Sequence, residues 1–238
     1  MNVYETKSIG ELITGNPYVG RGIIAGLSAD GKKAATAYFI MGRSNNSRNR
    51  IFTEKNGEVF TEPFDASKVE DPSLIIYAAV RKINDTLIVT NGDQTDTIYD
   101  AINSGICIGK ALKTRCFEPD GPNFTPRISV ILNLKKPYSY KLSILKSADE
   151  KGTACNRYMF NYEPIAGLGH FIHTYVTDGN PLPTFLGEPE RIFIPDDIDA
   201  FTDDIWNALD ENNKISLYVR YIDLDTGKET NRLINKNK

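Results

Sequence analysis

The sequence predicts an α+β fold of two stacked, mainly antiparallel sheets with helices outside. Three observations lead there. Strand-like stretches come in consecutive pairs around turn dipeptides such as Asp30-Gly31 and Asn56-Gly57, the signature of hairpins. Helical spacing dominates in only two regions, one after Asn91-Gly92 and one after Asp196-Asp197. Several strand-like stretches are apolar on both faces, which requires a covering layer on each side.

The elements follow in order. A short helix is read around Ser8–Ile13, ended by Gly15. A strand from Gly20 to Ser28 turns at Ala29-Asp30-Gly31 and returns as Ala34–Met41. Ile51–Thr53 and Glu58–Thr61 flank Asn56-Gly57 as a second hairpin. Leu74–Ile83 and Thr86–Thr90 flank Asn84-Asp85 as a third, mostly apolar one. Ile98, Ala101 and Ile102 then repeat at helical spacing, with Thr95 or Asp93 as the cap. Ser104-Gly105 interrupts, and Ile106–Arg115 reads as helix again. Arg127–Leu134 and Ser139–Leu145 are strands joined by Lys135-Lys136-Pro137, and Tyr158–Tyr162 is another. Asp196 or Asp197 opens a helix to Leu209, its acidic first turn favourable to the helix dipole. Ile215–Ile222 is the last strand, turned by Asp225-Thr226-Gly227, and the polar tail Asn235–Lys238 is expected to fray. No repeat or linker divides residues 1–238, which read as one domain.

Composition narrows the function classes. Lys plus Arg is 28 and Asp plus Glu is 31, a net charge of −3, which argues against a general nucleic-acid binder. No apolar run approaches the roughly 20 residues of a membrane helix. The first residues, Met1-Asn2-Val3-Tyr4-Glu5, lack the basic flank and apolar core of a secretory signal, so a cytoplasmic protein is expected. Cys107, Cys116 and Cys155 are an odd set at unpatterned spacings and read as reduced thiols. His170 and His173 are three apart in a strand-like stretch, which sends them to opposite faces, and no partner completes a metal set. No metal is expected.

Three segments carry candidate chemistry. Gly42–Arg50 holds Arg43, Arg48 and Arg50 with Asn45, Asn46 and Asn49 and no acid. Guanidinium forks suit phosphate or carboxylate, so an anion site stands beside the alternative of a solvated polar loop. Asn91-Gly92-Asp93-Gln94-Thr95-Asp96-Thr97 sits where a strand hands over to a helix. It reads either as a contact for ligand hydroxyls or amides, or as a helix-capping loop. Glu118–Arg127 is a proline-rich turn that delivers Arg127 to a strand start. Tyr77, within an apolar strand, is by default a core tyrosine with a bonded hydroxyl. There is no Gly-x-Ser-x-Gly elbow, P-loop or Gly-x-Gly-x-x-Gly.

Taken together, these motifs resemble a known family. Tyr18-Val19-Gly20-Arg21, the Gly42–Arg50 loop, Ile76-Tyr77-Ala78-Ala79-Val80-Arg81, Asn91 through Ile98, and Asn123-Phe124-Thr125-Pro126-Arg127-Ile128 occur in that order. The set resembles archaeal-type inosine monophosphate (IMP) cyclohydrolases, over roughly residues 18–145 and more weakly beyond. The resemblance implies a four-layer αββα sandwich like that of N-terminal-nucleophile hydrolases, without their self-processing. It implies closure of 5-formamidoimidazole-4-carboxamide ribonucleotide to IMP, the last step of purine synthesis, a reaction that requires neither a metal nor an organic cofactor. It places catalytic roles on Arg50, Tyr77 and Glu118, and substrate contacts on Arg21, Arg43, Asn91, Asp93, Thr95 and Arg127. The implied partner is a purine nucleotide, with neither nucleic acid nor membrane, and related enzymes suggest a homo-oligomer.

Two departures keep alternatives open. Asp93-Gln94 stands where the archaeal pattern has Ser-His, and the arginine loop is two residues longer, so a related nucleotide is a possible substrate. A non-catalytic nucleotide-binding regulator is the second alternative. An N-terminal-nucleophile amidohydrolase is the third, although it needs a Cys, Ser or Thr at the start of the first core strand. The segment Gly167–Gly187 is left without an assigned role, lid and interface both being open.

Overall fold

The computed structural model describes residues 2–69 and 76–237. The chain runs α1 (Ile9–Ile13), β1 (Arg21–Leu27), β2 (Lys33–Met41), α2 (Asn45–Arg48), β3 (Arg50–Lys55) and β4 (Glu58–Pro63). It continues with β5 (Tyr77–Ile83), β6 (Thr86–Thr90), α3 (Gln94–Asn103), α4 (Ile108–Leu112), β7 (Arg127–Asn133), β8 (Ser139–Ser147) and β9 (Cys155–Tyr162). Last come β10 (Leu168–His173), β11 (Glu190–Phe193), α5 (Ile198–Ala208), β12 (Lys214–Asp223) and β13 (Glu229–Asn235). Leu74 and Ile75, the expected start of the third hairpin, lie outside the described residues, as does Lys238.

Local chemistry accounts for most boundaries. Ser8 caps α1 through a capping box with Glu11. Asn56 (φ 54°) and Gly57 (φ 78°) both take positive φ, as a two-residue hairpin turn between β3 and β4 requires. Asp197 caps α5 by accepting from the amides of Asp199 and Ala200. Asp93 stands at the N-cap of α3 but makes no cap bond with its side chain, and Thr95 lies inside the first turn. The second helix of that region is shorter than its sequence pattern, Ile108–Leu112 rather than Ile106–Arg115.

The strands form two antiparallel sheets. One has six strands in the order β11-β10-β1-β2-β12-β13, the other seven in the order β3-β4-β5-β6-β7-β8-β9. The sheets face each other across a core that includes Ile23, Tyr38 and Ile40 from the first and Ala79, Val89, Val130 and Leu142 from the second. Alternation then sends the next residues outward. Ile24, Phe39, Phe171 and Val219 pack with Ile9 and Ile13 of α1 and Phe201 and Ile205 of α5. Ile88, Ile131 and Leu145 pack with Ile98 of α3 and Leu112 of α4. Each such buried aliphatic or aromatic side chain is worth roughly 1.5–3 kcal/mol. Gly22 is needed in β1, since a Cβ there would sit 2.3 Å from Phe39 Cζ. The arrangement is α+β, as the paired strands predict. No helix among the described residues is long and apolar enough to cross a membrane.

Two strands escape the sequence reading. Edge strand β11 has four residues, too few for a period. Edge strand β13 is largely polar, and it overturns the expectation that the tail frays from Asn235. Asn235 accepts from the Phe52 amide (2.8 Å) and donates to the Phe52 carbonyl (2.9 Å), so it locks β13 to β3 of the other sheet. The two histidines do face opposite ways. His170 shares a 2.8 Å hydrogen bond with the Tyr140 hydroxyl and stacks on Tyr162 at 3.5 Å. His173 donates from Nδ1 to the Tyr175 carbonyl at 2.7 Å. Burial, with Arg191 adding, lowers the His170 imidazole to about 4.

Two stability predictions follow from these contacts. Asn235→Ala leaves the buried ends of the Phe52 peptide unpaired and should lower unfolding free energy by about 1–3 kcal/mol in urea titrations. His170 is neutral when folded and takes a proton more readily when unfolded. The unfolded state therefore gains protons first as pH falls, and stability should drop by about 3 kcal/mol between pH 6.5 and 4. His170→Gln should lose that part of the pH slope, and parallel slopes in the two proteins would show the assignment to be wrong.

Candidate active site

Arg21 is the first residue of β1, and its entry is set by Gly20. Gly20 has φ +79°, and a Cβ there would sit 2.1 Å from Thr174 Oγ1. The Thr174 hydroxyl also accepts from the Arg21 amide at 3.1 Å, fixing the strand end. The side chain then points into the inter-sheet face, where Arg21 Nη2 lies 3.5 Å from Glu118 Oε2. Glu118 belongs to the loop before β7, and its amide donates to the Thr125 carbonyl (2.9 Å). Both side chains are about nine-tenths buried or more.

Arg50 opens β3 on the opposite sheet. Its Nε donates to the Ser47 carbonyl (2.7 Å) and Nη2 to the Met41 carbonyl (3.4 Å). Tyr77 opens β5, and its hydroxyl is 2.8 Å from that of Tyr38 on β2. The electrostatics tie these groups together. Burial works against the charge on Arg21, but Glu118 and the oxygens of Tyr175, Tyr77 and Tyr18 hold its guanidinium well above the ordinary value. Burial and repulsion from Arg21 push Arg50 down, against the pull of Tyr77, Tyr18 and Tyr38. Burial raises Glu118, and it outweighs the opposing pull of Arg21 and Arg127. Two buried guanidiniums therefore lie near one buried carboxylate, which pairs with Arg21. Arg21 Nε is buried and has no hydrogen-bond partner among the described residues.

Arg43 stands over the Tyr18 ring at 5.2 Å, and Tyr18 stacks on Tyr175 at 5.9 Å. The arginine loop has no acid of its own, yet Arg43 finds one in space. Its Nη1 donates to the Asp178 carboxylate and to the Gly179 carbonyl (2.8 Å). Arg48 is structural: it donates to the Gly42 carbonyl (3.1 Å) and to Asn213 Oδ1 (2.9 Å). The loop itself contains the one-turn helix α2, capped by Ser44.

The second sequence constellation is a lock on the β6–α3 turn. Asn91 Oδ1 accepts from the Ile128 amide (2.8 Å) and from Gln94 Nε2 (3.0 Å), while its Nδ2 donates to the Pro126 carbonyl (2.8 Å). The Thr95 hydroxyl bonds that of Thr90 at 2.6 Å. Asp93 pairs with Arg127 (2.6 Å) and with Arg115. Arg127 also donates to Gln94 Oε1 (2.9 Å) and contributes to the field at Glu118. Of the nine candidates, the structure gathers Arg21, Arg50, Tyr77 and Glu118 in one buried group. It sets Arg43 beside Tyr18 and Arg127 within electrostatic reach of Glu118, and it engages Asn91, Asp93 and Thr95 in protein contacts.

Sequence reasoning missed Tyr38, Tyr175, Thr125 and Asp120. Thr125 bonds both the Tyr175 hydroxyl and the Asp120 carboxylate. The only signal for Tyr38 and Tyr175 was a phenol in an apolar strand context. The Gly167–Gly187 segment gains a description. It supplies β10 and then an arm that folds back on itself, with Tyr175 bridged to Thr184. The arm holds Arg43 through Asp178, and the Leu182 amide donates to Asn123 Oδ1 at 3.1 Å. A cleft of about 400 Å³ lies beside Asn45, Asn46, Ser67, Lys68 and Val69, and the buried arginines do not line it. Among the described residues no three His, Cys, Asp or Glu side chains gather as a metal site requires.

The structure thus places a buried cationic group between two sheets, with an acid and phenols at hand, an arrangement with the charge to receive an anion and the groups to move protons. Comparison with known proteins gives that arrangement a family. Residues 18–228 match the family model described as IMP cyclohydrolase-like protein, and the chain belongs to that family. It is similar to the IMP cyclohydrolase of Methanopyrus kandleri, 33% identical over 146 residues, 57% of this chain and 72% of that one. It is also similar to those of Methanococcus aeolicus (32% over 125 residues, 51% and 61% of the two chains) and Methanothrix thermoacetophila (34% over 120 residues, 49% and 58%). The matched stretches thus cover between about three-fifths and three-quarters of these relatives.

The crowding of like charge makes a prediction. Arg50→Met removes a guanidinium that burial and Arg21 both disfavour, and should raise unfolding free energy of the ligand-free protein by about 1 kcal/mol. Equilibrium denaturation checks this. A loss of stability would mean that the carbonyl contacts of Arg50 outweigh the repulsion.

Proposed function

We propose that this chain is an IMP cyclohydrolase, closing 5-formamidoimidazole-4-carboxamide ribonucleotide to IMP with loss of water. The observation that carries the reading is the buried group itself: Arg21 and Arg50 flank Tyr77, and Glu118 stands 3.5 Å from Arg21. Family membership and the named archaeal relatives support the same activity. The layering of helices outside two facing sheets fits a four-layer αββα sandwich of the N-terminal-nucleophile hydrolase kind. No nucleophile opens β1, since its first residue is Arg21, so the amidohydrolase alternative is not favoured.

The reaction needs little beyond placement and proton transfer. The carboxamide nitrogen adds to the formyl carbon of the same molecule, so a pocket that holds the two arms in contact removes most of the entropic barrier. One proton leaves the carboxamide nitrogen and one the formamide nitrogen, and both depart with the formyl oxygen as water. Burial raises Glu118, which makes its carboxylate a stronger base than an exposed one, and it takes the carboxamide proton. Tyr77 donates to the formyl oxygen. Arg21 and Arg50 stabilise the developing oxyanion or hold phosphate, and Arg43 exchanges Asp178 for phosphate. Arg127, held by Asp93, tunes Glu118. Asn91 and Thr95 act through the turn that carries Asp93.

An ultraviolet assay of ring closure with the formamido nucleotide tests the reading. Glu118→Gln should lower kcat by about 10²–10³-fold with KM little changed. Arg50→Ala should abolish nucleotide binding. Tight IMP binding without turnover in the unaltered protein would instead identify a regulator.

A further inference from the structure

Tyr38 lies in the middle of β2, paired with Ile23 of β1 on one side and Tyr218 of β12 on the other. Its side chain is fully buried, with its ring 5.2 Å from that of Phe52. A phenol hydroxyl enclosed in this way requires a partner. Among the described residues that partner is the Tyr77 hydroxyl, at 2.8 Å.

Either oxygen of such a pair is able to donate, so the surroundings decide. Burial holds the Tyr38 proton well above the ordinary tyrosine range, with Tyr77 adding to it, in spite of Arg21 and Arg50. Tyr77 is the member that retains a sliver of exposure. The enclosed Tyr38 hydroxyl has the Tyr77 oxygen as its one partner among the described residues, so the proton between the oxygens belongs to Tyr38 and the Tyr77 hydroxyl is left to turn toward the exposed side. The Tyr38 ring is fixed by packing, so the direction of its O–H is set before any ligand arrives.

We propose that Tyr38 is a positioning residue. Its hydroxyl donates to the Tyr77 oxygen, turns the Tyr77 proton toward the bound nucleotide, and holds the phenolate left when that proton moves. The inference rests on the cyclohydrolase reading for its chemistry, and the step balances. As the carboxamide nitrogen bonds to the formyl carbon, its proton passes to Glu118 and the Tyr77 proton passes to the formyl oxygen. Glu118 then returns its proton to that oxygen, the C–O bond breaks and water leaves. The formamide nitrogen gives its proton to the Tyr77 phenolate as the ring double bond forms.

Tyr38→Phe removes one oxygen and keeps the ring. Ionisation of Tyr77 is read without substrate, as the ultraviolet difference titration between each protein and its Tyr77→Phe counterpart. The expected midpoint moves up by about one pH unit in Tyr38→Phe. In turnover kcat falls about tenfold, KM changes little, and the alkaline limb of kcat moves up with the titration. An unmoved midpoint overturns the proposal. So does a lower kcat with an unmoved alkaline limb, which is the mark of a packing role. If Tyr38→Phe does not fold, 3-fluorotyrosine at position 38 keeps the shape and strengthens the donor. The midpoint should then move down, and one that stays put overturns the proposal equally. A protein that never closes the ring refutes the reading of function, while the titration still decides the hydroxyl pair.

Discussion

Two guanidinium groups buried against one carboxylate set the terms for the rest of this molecule. Arg50 lies in the field of Arg21, and Glu118 pairs with Arg21 at 3.5 Å. Removing charge from water is expensive, and an excess of one sign makes it more so. The protein offsets part of this with the Ser47 and Met41 carbonyls at Arg50 and with phenol oxygens around both arginines. It leaves the Nε of Arg21 without a partner among the described residues. Under the proposed function, an anionic ligand would supply the partners that these guanidiniums lack. Binding energy from such a ligand, if phosphorylated, would then be available to hold reacting groups together.

The fold makes that arrangement possible because the group straddles the two sheets. Arg21 and Tyr38 come from β1 and β2 of the six-stranded sheet, and Arg50 and Tyr77 from β3 and β5 of the seven-stranded one. Strand ends are stiff supports, and side chains placed on them keep their positions better than side chains on free loops. Glu118 sits on a loop, but Thr125, Asp120 and Tyr175 brace that loop through short hydrogen bonds. The arm beyond β10 links the remaining parts. Asp178 meets Arg43, and Leu182 meets Asn123. The arm therefore contacts both the arginine loop and the acid loop.

The legibility of these features in the sequence follows from their range. Hairpins were readable because Asn56-Gly57 and Asp30-Gly31 settle their turns locally. Helix α5 was readable because Asp197 and the period of Ile198, Phe201 and Ile205 agree. Strand β13 was hidden because its polar side chains give no period, and its place depends on Asn235 meeting Phe52 across the sheets. The arginine loop looked uncompensated because its acid, Asp178, is 135 residues away in sequence. Arg50, Tyr77 and Glu118 were named through resemblance, not spacing. Nothing local separates Tyr77 from a core tyrosine, and its pairing with Tyr38 exists only once the sheets stack.

The most direct test of the central claim is a crystal structure of the protein with IMP bound. The account predicts the nucleotide against Arg21, Arg50 and Tyr77, with Glu118 beside the pyrimidine half of the base. Nucleotide bound elsewhere, with the two guanidiniums and Glu118 undisturbed, would contradict it.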